Sequence, residues 1–152
     1  MDSKIIWNRI VEQHQKNFNA QETVVQKEWE SIFTAFGYNS FFGEIDSHRT
    51  IHIGSGKNTI PDIIIRTDNV DLFDVELKQY NLSFDIEMEK QLLSYMKLLE
   101  ISVGILVCKD LYIYVYDKKE TKRLKIDFTK DDPDGIEFVD LFYKGNFSIH
   151  KI

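Results

Sequence analysis

One cysteine, two prolines and seven glycines are all that 152 residues hold of the residue types that cross-link, break or loosen a chain. A lone Cys108 excludes an internal disulfide and suits a reducing compartment. Within "VGILVC" it reads as a small buried hydrophobe. No Pro/Gly-rich linker, repeat or low-complexity tract interrupts the chain, so residues 1–152 read as one domain. No apolar run approaches the roughly 18–20 residues of a membrane span. The opening "MDSKIIWNRIVEQHQ" lacks the apolar block and cleavage site of a secretion signal. These absences imply a cytoplasmic protein. An excess of basic charge is missing too: the formal net charge is −6. That argues against a broad nucleic-acid-coating face. It still permits nucleic-acid chemistry if the acids gather at a metal and the Lys and Arg are placed locally.

What is present is a globular composition, 43% hydrophobic with 11 Phe and 7 Tyr. Residues from about 3 to 18 have helical spacing, with Ile6, Ile10 and His14 on one side and Trp7 and Val11 adjacent. "AQETVVQKEWESIFTAFGY" is a stronger helix, striped by Val25, Trp29, Ile32, Phe33 and Phe36, with Gly37 able to close it in the left-handed conformation. "SFFGEIDS" and "RTIHIGS" read as strands and "GSGKNT" as a loop. A hairpin follows, then the helix "FDIEMEKQLLSYMKLLEI", the apolar strand "VGILVCKD", the strands "LYIYVYD" and "RLKIDF" joined at "KKET", and a closing helix entered at Asp132-Pro133. An apolar strand after a long helix predicts one parallel crossover among antiparallel hairpins. The fold class is α/β, a mixed sheet flanked by helices.

The hairpin "IPDIIIRTDNVDLFDVELKQ" carries charge where a sheet centre is expected. Side chains alternate along a strand, so Asp74, Glu76 and Lys78 share one face and Phe73, Val75 and Leu77 the other. Whether Asp62 joins the charged face depends on the connection. An odd loop, such as Thr67–Asn69, brings it there, whereas a two-residue loop sets it opposite the apolar set. Matching polar to polar favours the odd loop. Carboxylates a few ångströms apart raise each other's pKa, and burial raises it further. Either the face is solvated, the ordinary state of a polar strand face, or a cation belongs there. Oxygen ligands of this kind suit Mg²⁺ or Mn²⁺, with the Lys78 ammonium beside an attacking water.

Pro61-Asp62, a gap of 13 residues and Glu76-Leu77-Lys78 resemble the signature of the PD-(D/E)xK nuclease superfamily. Gln91 and Tyr95 match the Q-x-x-x-Y pair that follows the signature in many members. The segment from about 21 to 117 is similar to the N-terminal nuclease domain of type I restriction-enzyme motor (R) subunits. The resemblance implies a restriction-endonuclease-like fold and a metal-dependent DNA endonuclease. It implies Asp62 and Glu76, with the Leu77 carbonyl, as metal ligands and Lys78 as the residue serving the water. Glu22 is the match for an assisting helical Glu. Gln91 and Tyr95 would support the site or touch the DNA backbone. The setting it implies is a restriction or mobile-element defence system. No ATPase motor is read in these residues, and "GSGKN" fails the phosphate-loop pattern at Ile51 and Asn58. The domain therefore works alone, serves a separate motor or specificity subunit, or is a relic. Cutting both strands calls for two sites, which a homodimer supplies.

Arg49, Lys57 and Arg66 are the nearby candidates for phosphate contacts. His48 and His52 lie on a strand with no accompanying zinc set. The Tyr112, Tyr114, Tyr116 alternation reads as sheet packing before it reads as a base-stacking platform. The rival to the enzyme is the same fold used only to bind DNA or a protein, its acidic face merely wet.

Overall fold

The computed structural model describes residues 2–53, 57–117, 119–148 and 152, with the side chains of residues 52, 53 and 57–59 outside that description. The elements run α1 (Ser3–Lys16), α2 (Glu22–Ala35), a 3-10 turn (Ser40–Phe42), β1 (Ile45–Asp46), β2 (Ile51–Ile53), β3 (Lys57–Thr59), β4 (Ile63–Thr67), β5 (Val70–Leu77), α3 (Ile86–Leu99), β6 (Val103–Val107), β7 (Leu111–Asp117), β8 (Glu120–Ile126) and α4 (Pro133–Phe142). Six strands form one sheet in the order β1-β4-β5-β6-β7-β8, and β2 and β3 make a separate ribbon. The pairing of β5 with β6 is parallel and crosses over through α3; the other pairs are antiparallel. This is the mixed, helix-flanked α/β sheet that the sequence implies. No helix among the described residues is long and apolar enough to cross a membrane.

The two faces of the sheet are covered unequally. On one, Phe73, Val75 and Leu77 join Ile63, Ile65, Ile105 and Val107 under α1, α2 and α4. Trp7, Trp29, Phe33 and Phe138 fill that layer with no exposed surface to speak of. On the other face Leu92 and Met96 of α3 pack on Leu106, Cys108, Tyr112 and Tyr114. Tyr112 and Tyr114 are thus packing residues, as the alternation suggested. Helix ends follow their sequence signals: Asp85 caps α3 through Glu87 N, and Asp132 caps α4 ahead of Pro133. Gly37 has φ +98°, the left-handed geometry expected after α2.

Two local readings are corrected. "SFFGEIDS" is a strand only at Ile45–Asp46, because Asn39 accepts from Phe41 N and winds the Phe pair into a 3-10 turn. "KNT", read as loop, pairs with Ile51–Ile53 as β3; positions 54–56 lie outside the described residues, so the loop reading of "GSG" does too.

The hairpin between β4 and β5 departs from expectation in its means and not in its result. Its turn is the two-residue Asp68-Asn69, both left-handed at φ 51° and 64°, which matches strand twist. By itself that turn would set Asp62 opposite the apolar set. The register then shifts between Ile65 and Arg66: Arg66 pairs with Asp71, but Ile65 pairs with Phe73. Leu72 is an inserted bulge residue that restores the parity an odd loop would have given.

Candidate functional site

Beyond the bulge, Ile64 pairs with Asp74 and Ile63 with Val75, so Asp62 comes to face Glu76 at the end of the hairpin away from its turn. Leu77 N donates to Asp62 Oδ2 at 2.7 Å, holding the carboxylate across the two strands. The Asp62 and Glu76 carboxyl groups are close enough that the charge of Asp62 bears on Glu76.

This face is not wet. Residues 73–77 are all buried, Asp74 at 0% and Glu76 at 2% exposure, because α3 covers the side on which the acids lie. The solvated face considered from the sequence is therefore overturned. Burial, then the Asp62 and Asp74 charges, push the Glu76 carboxyl up to about 10. Burial also raises Asp62, with the Leu77 N–H opposing, and lifts Asp74 well above the ordinary range. Both Asp74 oxygens and Glu76 Oε1 are buried without a hydrogen-bond partner. An ionised carboxylate in such surroundings is costly enough that the group takes up a proton or a cation instead.

A basic group stands at the rim. Lys78 Nζ donates to Gln91 Oε1 at 3.3 Å, and Gln91 Nε2 donates to Tyr95 Oη at 3.1 Å. Gln91 and Tyr95, one turn apart on α3, form a hydrogen-bonded line from the ammonium into the protein. An ammonium has only donors, so the amide must present its oxygen to Lys78. Helix α3 can lie this low because β6 carries Gly104, where a Cβ would stand 2.5 Å from Met96 Sδ. Glu22, exposed at the start of α2, is within electrostatic range of both Lys78 and Asp62, and burial of its stem raises its pKa. Among the described residues no three His, Cys, Asp or Glu side chains are arranged as a set for a metal ion. The corner offers a pair of carboxylates, and Glu22 stands off from it.

Two of the suggested phosphate contacts are occupied elsewhere. Arg49 forms a two-pronged pair with Asp71, Nη1 to Oδ2 and Nη2 to Oδ1, both 3.0 Å, and Arg66 Nε reaches the same Asp71 at 2.6 Å. Arg49 Nε also lies 3.3 Å from Asp46 Oδ2. This cluster sits beside the hairpin turn; Arg66 lies four positions along the chain from Asp62, about 13 Å of extended strand. Asp71 thus holds Arg49 and Arg66 together beside the hairpin turn. The Lys57 side chain lies outside the described residues. Asp74 is the residue whose weight the sequence understated. The alternation "DVELK" put it on the acidic face, but nothing in the spacing indicated complete burial.

A comparison with protein-family models finds no match, and a comparison with curated proteins finds none. Among solved structures the chain is similar to a protein in a cryo-EM structure of a DrdV–DNA complex, with a TM-score of 0.56 and 16% identity over 91% of this chain. The chain spans 14% of that protein's length. At this identity the likeness speaks for the fold, which is restriction-endonuclease-like.

Proposed function

We propose that this chain hydrolyses phosphodiester bonds in DNA with a divalent cation, Mg²⁺ or Mn²⁺, held by Asp62 and Glu76. One observation carries the reading: a half-buried Asp62, held by the Leu77 N–H, faces the buried Glu76 carboxyl at the end of a β-hairpin, beside a lysine held by Gln91. The donor set fits such an ion. It is all oxygen, with two carboxylates, as Mg²⁺ prefers. Glu76 Oε1 is buried and lacks the partner that an ion would supply. The Leu77 main-chain carbonyl is the proposed third protein ligand. A divalent ion bound there supplies Lewis-acid polarisation of the phosphate and acidifies water.

The residues of the chain divide the remaining work. Asp62, fixed by the Leu77 N–H, and Glu76 set where the scissile phosphate lies. Lys78 keeps a positive charge beside the attacking water and the developing charge on the phosphoryl oxygens. Gln91 orients Lys78, and Tyr95 orients Gln91. Glu22 orients water from the α2 side. The DNA-bound state of the DrdV structure, together with the PD-(D/E)xK resemblance, supports DNA as substrate. The resemblance to type I motor-subunit nuclease domains supports a place in a restriction or mobile-element defence system, with a separate motor or specificity subunit, or a second copy, as partner.

The test is incubation of the purified protein with plasmid and with single-stranded DNA, in Mg²⁺, Mn²⁺ or chelator. Metal-dependent cutting by the wild type that disappears in Asp62→Asn supports the proposal. Retention of DNA on a gel without cutting in any metal would make the chain a binding module.

A further inference from the structure

Gln26 stands one turn after Glu22 on α2. Its Nε2 donates to the main-chain oxygen of Asp62 at 3.0 Å and to Glu30 Oε1 at 3.2 Å. Both acceptors are oxygens, so both amide hydrogens are engaged and the carbonyl end of the side chain cannot take their place. Asp62 follows Pro61, which has no N–H, and precedes the β4 ladder, which begins at Ile63. Its main chain thus lies outside the β4–β5 pairing. Asp62 is gripped from two sides instead: Leu77 N–H holds its carboxylate and Gln26 holds its carbonyl.

We infer that Gln26 is a positioning residue that sets the affinity of this site for its divalent ion. The inference rests on the functional reading above. Small hard cations demand near-octahedral geometry with short bonds, so a ligand free to shift by part of an ångström binds them poorly. The contact from α2 removes that freedom from Asp62. Because Glu22 and Gln26 are four residues apart on one helical face, the same bond fixes the turn that brings Glu22 within range of Asp62 and Lys78. Spacing and motif do not reveal this role, since Gln26 belongs to no motif and its Asp62 partner is a main-chain atom 36 positions away.

The experiment compares wild type with Gln26→Met, which keeps length and volume but donates nothing, and with Gln26→Glu, which sets a carboxylate against two oxygens. Half-saturating Mn²⁺ is read from the rise in melting temperature and from calorimetric titration, alongside the cleavage rate at saturating Mn²⁺. Loss of such an outer partner weakens metal affinity by about 10- to 100-fold. The expected result is a half-saturation shifted by that amount in both variants, with cleavage recovered at high Mn²⁺. A purely structural role would lower the metal-free melting temperature and leave half-saturation within twofold of wild type, which overturns the inference. Wild type that neither binds Mn²⁺ nor cuts overturns the functional reading and this inference with it. Wild type that does both, with variants that match it, overturns the inference alone.

Discussion

Leu77 donates its main-chain N–H to Asp62 Oδ2 over 2.7 Å, so the strand that carries Glu76 also holds the carboxylate facing it. The arrangement depends on β5 having one residue more than β4 between the turn and the site. Without the Leu72 bulge, the two-residue turn would place Asp62 over the apolar core. The acidic pair is therefore built by a local irregularity some distance away, which fixes its geometry before any ligand arrives.

Lys78 reaches Gln91 from a half-buried position at the rim of the site, so its removal should spare the fold. Lys78→Ala is expected to lower metal-dependent cleavage by about 10²-fold or more, the usual yield of a positioned proton-handling or charge-stabilising group. Its melting temperature should stay within a few degrees of wild type. Gln91→Ala should give a smaller loss. Cleavage that persists in Lys78→Ala at the wild-type rate would trace the activity to a contaminant.

The raised acids make stability depend on pH in a defined direction. Glu76 titrates at 4.5 when unperturbed and near 10 in the folded chain. Below 4.5 it is protonated in both states and carries no penalty. As pH rises from there toward 10 the unfolded chain gives up its proton first, so the folded state loses stability, by up to about 1.4 kcal/mol per pH unit for one group. Asp74 and Asp62 act in the same sense. Glu76→Gln should flatten the fall in melting temperature across that window, and Mn²⁺ should offset the fall in wild type by replacing the proton. A wild-type melting temperature that climbs from pH 5 to pH 9 without metal would refute this account of the acidic pair.

Much of this site was legible because strand periodicity is strict. Once "FDVELK" is read as a strand, Asp74, Glu76 and Lys78 must share a face, and the polar match with Asp62 fixed the pairing even though the turn was misjudged. What alternation does not reveal is the thickness of the layer above it. That α3 would press down and bury Asp74 and Glu76 depends on Gly104, in a different strand, leaving room for Leu92 and Met96. Nor does spacing disclose partners in ion pairs. Arg49 and Arg66 looked available because Asp71, 22 and 5 positions away, is just another acid in the sequence.

That ion cluster yields its own test. Asp71 lies low in pKa because Arg49 and Arg66 bond to it against the cost of burial, and its side chain is only 18% exposed. Arg49→Ala should cost about 1–2 kcal/mol, more than an ordinary surface pair, because the bonding is two-pronged and partly buried. It should leave the salt dependence of DNA binding unchanged, since a residue committed to Asp71 releases no counterions from phosphate. A salt slope reduced by about one in Arg49→Ala would mean instead that Arg49 leaves Asp71 for the DNA.

Gly104 offers a way to move the lysine's support without touching it. A Cβ there would lie 2.5 Å from Met96 Sδ and 3.1 Å from Leu92 Cδ1, so any side chain lifts α3 or displaces Met96. Gly104→Val is expected to destabilise by about 1–3 kcal/mol through overpacking. Met96→Ala should relieve part of that cost, so that the double variant is more stable than the sum of the two single changes by at least about 0.5 kcal/mol. Because α3 carries Gln91, lifting it also lengthens the bond to Lys78, now 3.3 Å. Gly104→Val should therefore lose more cleavage than Val11→Ala, which weakens the opposite core layer. Equal losses at matched stability would show that the height of α3 over the sheet does not govern the lysine.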